Sequence, residues 1–315
     1  MNQDRRINNE KPVRSADAPA DLSIVIASNH SLAELERCLA SLVQQSRGQE
    51  IEVIVADCGC QDEAMRDVKG KYPEILFIRF PEYTPLPKLW GAGIERSTGE
   101  IIAITDSTCI TDANWVSAIL DAHISSHPVI GGAVEIEDCK KWVDWAAYFC
   151  EYGHFMQPLK KGAATELPGN NVSFKRETLK RGREFVQNGF WKTYWCRRLQ
   201  EEGVQLMAVP SIVVYYKKSF GLIPFLIRRF HHGRCFAGMR VSQAALLTRV
   251  FYIAGSPLLP FLFLARTIAG VVPKKRYLKQ FILSFPISVL AVMLWSIGEF
   301  CGYLAGTGKS CAQIN

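Results

Sequence analysis

Leu22-Ser23-Ile24-Val25-Ile26-Ala27 is a short run rich in β-branched residues with polar sequence on either side. That is the pattern of a strand buried on both faces rather than one with a solvent side. Working outward, residues 31–45 place Leu32, Leu35, Leu39 and Leu42 at helical spacing. A second buried run, 52–56, ends at Asp57, and a polar helix is expected over 62–71. A third strand is expected over 75–80, a helix over 89–97 that stops at Gly99, and a fourth strand over 101–105 ending at Asp106. An amphipathic helix follows over 115–127. Alternation of this kind, with short connections, predicts an α/β fold whose mostly parallel sheet is covered by helices. Ligands of such sheets bind beyond the carboxyl ends of the strands. The residues found there are Ser28, Asn29, Asp57 and Asp106. A lone aspartate there could cap the next turn; its repetition at two strand ends favours ligand contact.

From residue 130 the pattern changes. A strand is expected over 131–135, and a turn leading into a strand over 167–174. A helix over 195–202 is closed by Gly203, and further strand falls over 206–209 and 212–216. Between them lies an aromatic-rich stretch, Trp142, Trp145, Tyr148, Phe149, Tyr152 and Phe155, expected to pack as core or at an interface. This half reads as continuous with the first sheet, so one domain is expected over 22–219. Residues 1–21 are polar, are expected to be disordered, and carry no apolar run of the kind a secretory signal needs.

The C-terminal part is apolar. Residues 251–272 and 281–305 both reach the length of about 20 residues that a bilayer-spanning helix requires. The basic stretches 228–240 and 273–279 are expected on the cytosolic face. On that reading 281–305 spans, while 251–272, with Pro257, Pro260 and Arg266, is re-entrant or interfacial; two crossings are the alternative. Together 250–306 form the membrane helices, with the main domain in the cytosol at the cytoplasmic membrane. Residues 220–249 read as a basic amphipathic segment on lipid headgroups. The adjacent His231 and His232 cannot share a helix face, which argues against a metal pair.

Composition narrows the function classes. With 315 residues, 48% of them hydrophobic, the chain can bury one large domain and a smaller module. The net charge of +7 sits largely beside the apolar segments, which points to anionic lipid or phosphorylated substrates. No nucleic-acid-binding motif accompanies it, so no nucleic-acid partner is expected. Of ten cysteines, Cys38, Cys109, Cys150 and Cys196 lie in apolar or amphipathic runs as small hydrophobes, and Cys58 and Cys60 lack redox or zinc spacing. A reduced chain without a disulfide framework is expected.

Residues 22–27, then Cys38-Leu39-Ala40-Ser41-Leu42 and Gln45, resemble the opening strand and helix of family 2 glycosyltransferases of the GT-A fold. The run Glu52 to Asp62, with Asp57-Cys58-Gly59-Cys60-Gln61-Asp62, is similar to that family's second strand and acidic loop. Gly93-Ile94 to Gly99-Glu100 resembles the segment before its metal motif, and Gly169-Asn170-Asn171-Val172-Ser173-Phe174 its acceptor-side strand. The resemblance covers roughly residues 22–240. It implies a nucleoside diphosphate sugar across the strand ends, its base held at Asp57. It implies Mg²⁺ or Mn²⁺ on an Asp-x-Asp-type motif after the fourth strand, and a carboxylate that deprotonates the acceptor hydroxyl. Ser28, Asn29, Asp57 and Asp106 fall on the nucleotide side; Asn170, Asn171 and Arg229 fall on the acceptor and phosphate side.

The sequence departs from that pattern at three places. Thr105-Asp106-Ser107-Thr108-Cys109 keeps one acid, a candidate metal ligand, but puts hydroxyls where carboxylate ligands belong, and hard divalent cations prefer carboxylate oxygens. Lys192 occupies the expected position of the catalytic carboxylate, although a lysine is a poor base near neutral pH. Tyr216 stands where a last histidine ligand is common. Two readings follow. In one, the enzyme neutralises the diphosphate with side-chain cations such as Lys192, Lys217, Lys218 or Arg229, and takes its base from Glu151, Glu166 or a substrate group. In the other, a non-catalytic subunit binds nucleotide or scaffolds an active glycosyltransferase. Membrane lipids or a lipid-linked acceptor are expected partners of either.

Overall fold

The computed structural model describes residues 20–314 apart from 30, 47–49, 60, 61, 138, 188 and 243. The expected disorder of residues 1–21 thus lies outside the described residues except at Ala20 and Asp21, and so does Cys60. The first half runs β1 (Leu22–Ser28), α1 (Leu32–Ser46), β2 (Ile51–Asp57), α2 (Asp62–Lys71), β3 (Leu76–Arg79), α3 (Leu86–Arg96) and β4 (Ile101–Asp106). β1 pairs in parallel with β2 and β4, and β2 with β3. All of β1 is buried, as a run without polar alternation requires. Leu35, Leu39 and Leu42 form the buried stripe of α1 together with Cys38.

The second half contributes β5 (Cys109–Thr111), α4 (Trp115–His123), β6 (Val129–Ile136), α5 (Trp142–Tyr152), β7 (Gly162–Ala164), β8 (Val172–Lys175), α6 (Arg176–Lys180), α7 (Arg183–Gln187), α8 (Lys192–Glu201) and β9 (Leu206–Tyr216). The sheet has nine strands in the order β3-β2-β1-β4-β8-β6-β9-β5, with β7 also on β9. β8 is antiparallel to both β4 and β6, so the sheet becomes mixed beyond β4. β9 runs unbroken where two strands were expected, and β5 and β7 were not foreseen. Both are three-residue strands, too short to show a period; their partner on β9 makes them. β5 matters most, because Cys109 pairs with Tyr216 and the Lys217 amide donates to the Thr108 carbonyl at 2.9 Å. The loop after Asp106 is therefore stitched to the residues that follow β9.

Four helices close the chain: α9 (Leu222–Arg240), α10 (Leu246–Gly255), α11 (Leu259–Val271) and α12 (Leu278–Ala305). Leu246–Lys274 and Leu278–Ala305 are long and apolar enough to cross a membrane. α12 lies along the domain instead of standing off it. Phe281 meets Phe149 of α5 edge-on with ring centres 5.1 Å apart, and near the other end the Tyr303 hydroxyl takes a 2.6 Å hydrogen bond from Arg240 of α9. Its buried face is built largely from small residues, among them Ser284, Ser288, Ala291, Ser296, Gly298 and Gly302. Ile282, Leu290, Met293, Ile297 and Leu304 are exposed on it.

That division lets α9 and α12 meet backbone to backbone, the small-xxx-small device of membrane helices. A Cβ on Gly298 would stand 2.1 Å from the Phe230 carbonyl oxygen, and one on Gly233 would stand 2.1 Å from that of Trp295. α9, expected as a headgroup-lying segment, buries Arg228 and Arg229. It also touches the domain at Phe236, whose carbonyl accepts from the Tyr194 hydroxyl of α8 at 2.7 Å. One cysteine expectation is corrected: Cys235 of α9 and Cys311 form a disulfide, which folds residues 306–314 back over α9. The two cysteines are far apart in sequence and adjacent only once α9 and α12 have packed. Cys38, Cys109 and Cys196 are free and buried.

Candidate active site

Beyond the carboxyl ends of the strands lies a cavity of about 270 Å³. Asp106 reaches it from the tip of β4, Thr108 from the turn between β4 and β5, Glu151 from α5, Lys192 from the start of α8, Lys218 from the segment after β9, and Arg228 from α9. Trp295 of α12 and Ile314 complete the far wall. Asp106 accepts hydrogen bonds from the Thr108 amide at 2.9 Å and from the Thr108 hydroxyl. Burial pushes its carboxyl above the ordinary range, and the Thr108 bonds pull in the opposite direction. Burial likewise pushes the Lys218 ammonium down to about 8, helped by repulsion from Arg228 and opposed by Asp106 and Glu151. The Glu151 carboxylate accepts from Arg228 at 2.7 Å and sits 3.7 Å from Arg229. His232 is held well below its usual pKa by burial and by the neighbouring Arg228 and Arg229.

The expected site residues fall into three groups. Asp106, Asn170 and Lys192 line the cavity. Ser28 and Asp57 lie beside it, in register: Ser28 pairs with Asp57 across β1 and β2, and Ala27 with Asp106 across β1 and β4. The two aspartates therefore flank the tip of β1, two strand spacings or about 10 Å apart. The Asp57 carboxylate is fully buried, accepts from the Ser28 hydroxyl at 2.7 Å and is ion-paired with Arg79 at the tip of β3. Asn171 belongs elsewhere. Its amide donates to the carbonyls of Ala133 at 2.8 Å and Ile212 at 3.0 Å and accepts from the Trp115 indole, so it clamps β6 and β9 rather than facing a ligand. Arg229 stacks over the Trp295 ring, 4.2 Å from its centre, and the adjacent Arg228 is the arginine on the cavity wall. Lys192 donates to the Leu167 carbonyl, and burial lowers its pKa. The Asn29 amide, the Ser107 hydroxyl and the Asn170 Oδ1 are buried without a hydrogen-bond partner among the described residues. Buried polar atoms are nearly always satisfied; of these three, Asn170 lines the cavity, where a polar ligand would supply the missing bond.

The same region does not fit a divalent metal. Among the described residues no three His, Cys, Asp or Glu side chains gather where they could hold an ion. Asp106 spends Oδ1 on Thr108, and only neutral hydroxyls follow it in the loop. Such a donor set is too weak for Mg²⁺ or Mn²⁺. Arg228 escaped the sequence reading because neighbouring arginines on a helix point about 100° apart, and only the position of α12 says which one meets the cavity.

Residues 23–182 match the family model described as Glycosyl transferase family 2. The chain belongs to that family. A stretch of 101 residues is 34% identical to an N-acetylglucosaminyltransferase of Rhizobium meliloti (strain 1021), covering 31% of this chain and 24% of that protein. The chain thus matches only a minor part of that relative's length. Among solved structures, the mannosyltransferase PcManGT from Pyrobaculum calidifontis, in complex with GDP-Man and Mn²⁺, superposes with a TM-score of 0.56 over 94% of this chain and 91% of that one. At 18% identity the likeness establishes the GT-A architecture of this family 2 glycosyltransferase domain.

Proposed function

We propose that this family 2 protein transfers a sugar from a nucleoside diphosphate sugar to a polysaccharide or glycolipid acceptor at a membrane, with side-chain cations replacing the divalent metal. The observation that carries the reading is the convergence of Lys218, Arg228, Asp106 and Glu151 on one cavity at the strand tips. In the reaction the acceptor oxygen bonds to the anomeric carbon as the bond from that carbon to the diphosphate oxygen breaks. Lys218 and Arg228 meet the charge that develops on the leaving diphosphate, work that preorganised cations can do in a site shielded from water. Glu151 takes the acceptor proton; Glu166, the other carboxylate weighed for this role, is ion-paired with Arg266 at a half-exposed position. Ser28, Asn29 and Asp57, at the neighbouring strand ends outside the cavity lining, are assigned to the nucleotide side, where a base would have to displace part of the Ser28–Asp57–Arg79 bonding, and Asn170 is assigned to the acceptor side. The apolar residues exposed on α10 to α12 support attachment to a membrane, and the basic linker 273–279 favours the cytosolic face of the cytoplasmic membrane.

A second reading, a non-catalytic subunit that binds nucleotide or holds an active glycosyltransferase, is favoured by Lys192, whose ammonium is turned to the Leu167 carbonyl at the position of the family's base. Titration of the full chain with UDP- and GDP-sugars, in Mn²⁺ and in EDTA, distinguishes them. Equal binding in both, with turnover of the bound sugar, is the expected result. Binding without turnover selects the second reading. Binding that requires Mn²⁺ refutes the cation replacement.

A further inference from the structure

The two apolar C-terminal segments lie side by side and are tied down along their length. α10 and α11 run antiparallel to α12: the Tyr252 ring stacks on that of Tyr303 at 5.1 Å, and Phe263 meets Trp295 edge-on at 6.2 Å. The linker between the segments is docked on the domain. Lys274 donates to the His154 carbonyl at 2.8 Å, Arg276 pairs with the buried carboxylate of Glu135 at 2.7 Å, and Tyr277 packs on Trp145 with ring centres 5.0 Å apart. At the opposite end Arg240 of α9 holds the Tyr303 hydroxyl, and Arg249 donates to the Leu304 carbonyl at 2.6 Å. Between these ends, Arg266 of α11 is ion-paired with Glu166 of the domain.

A helix of 28 residues is about 42 Å long, enough to cross a bilayer. Crossing also requires that its ends lie on opposite faces and that its neighbours tolerate hydrocarbon. Here the first half of α12 rests on α5, an element of the domain core, through Phe281 and Phe149. The second half lies backbone to backbone on α9, which carries Arg228, Arg229, Arg234 and Arg240. A transverse α12 would carry these neighbours into the hydrocarbon with it, where charged groups are costly.

We infer that neither apolar segment crosses: the protein lies in the plane of one leaflet, with α10, α11 and α12 as an apolar raft beneath the domain. The inference rests on the membrane attachment read above and replaces the expected crossing of 281–305. Phe251, Leu258, Leu262, Leu290, Met293 and Ile297 are exposed on the raft. Lys275 and Lys279 are exposed in and beside its linker, and residues 241–298 contain no Asp or Glu. An apolar face edged by lysines and free of acids fits an anionic leaflet, its side chains entering the boundary between headgroups and acyl chains.

The test uses sealed inverted membrane vesicles from cells that produce the full chain. A membrane-impermeant amine reagent is applied, tagged lysines are read by mass spectrometry, and exposed Lys180 of α6 marks the side of the domain. Lys275, Lys279 and Lys309 are expected to be tagged to the same extent as Lys180, each relative to its tagging after detergent. Crossing by α12 alone would set Lys309 apart from Lys180, and two crossings would set Lys275 and Lys279 apart; either result overturns the in-plane inference and leaves attachment standing. The double substitution Met293→Asp and Ile297→Asp, on the exposed face, should lower the vesicle-bound fraction about tenfold or more by removing apolar contact with lipid. The released protein should melt as the unaltered one does, which separates lost contact from lost fold. Unchanged binding of that variant would overturn the raft as the contact surface. If the unaltered chain is itself found in the soluble fraction, alone or with a second copy covering the raft, the attachment reading falls and the inference with it.

Discussion

At the strand tips, acidic side chains are held by close neighbours in the sheet: Asp106 by Thr108 two residues on, and Asp57 by Ser28 and Arg79 on adjacent strands. Between the helices, they are held by arginines brought from far along the chain. Glu151 pairs with Arg228, Glu166 with Arg266, and Glu299 with Arg240. The backbone follows the same division. Strands in the first half follow from local pattern, while α9 and α12 touch only because glycines let their backbones approach. The contrast teaches that the site is assembled from a locally encoded half and a half that exists only after long-range closure. Breaking a buried ion pair there leaves a charge with no water to turn to.

The largest effect that would sharpen this contrast is expected at Glu151. Glu151→Gln should slow transfer or hydrolysis of the bound sugar nucleotide by ~10³-fold, within the range of a positioned base, without weakening nucleotide affinity, since Arg228 loses its carboxylate partner and is left free for the diphosphate. An unaltered single-turnover rate would remove Glu151 from the chemistry. Next comes a paired comparison of glycines. Gly298→Val forces its side chain into the Phe230 carbonyl and should cost about 1–3 kcal/mol as overpacking. Gly70→Ala in α2, where a Cβ meets nothing within 4 Å, should be neutral or stabilise by about 0.5–1 kcal/mol through reduced chain entropy. Equal melting temperatures for the two variants would erase the distinction between the halves.

The smallest effect is a pH dependence. Lys218 is pushed down from 10.5 to about 8, so its positive charge is lost as pH rises through about 8. Nucleoside diphosphate affinity should therefore weaken between pH 7 and pH 9, by about tenfold or less for one charge-assisted contact. The same shift has the opposite sign for stability: holding the ammonium in a buried site costs the fold below about 8, and the cost fades as pH approaches 10.5. Lys218→Met should flatten the binding profile, and an unchanged profile in that variant would locate the titrating group elsewhere.

Much of the first half was legible in the sequence. Runs such as 22–27 and 101–105 are short, β-branched and without polar alternation, so strand type and burial follow from composition alone. Asp106 at a strand tip was legible for the same reason. Asn171 was not: its neighbour Asn170 faces the cavity while Asn171 is consumed by Ala133, Ile212 and Trp115. Strand alternation turns successive side chains to opposite faces, but which face holds the ligand depends on what covers the sheet. β5 was equally hidden, since three residues carry no period, and with it the placement of Lys218 beside Asp106.

By itself the sequence determined the alternating strands and helices, the acids at two strand ends, the departure from the metal motif and the two apolar C-terminal runs, because each depends on residues within one turn or one strand of each other. Tertiary structure alone decided that Arg228 rather than Arg229 lines the cavity, that Cys235 meets Cys311, and that α12 lies along the domain. Those outcomes depend on side chains 70 or more residues apart in sequence meeting in space. No local period encodes such a meeting; the packing of α9 on α12 does.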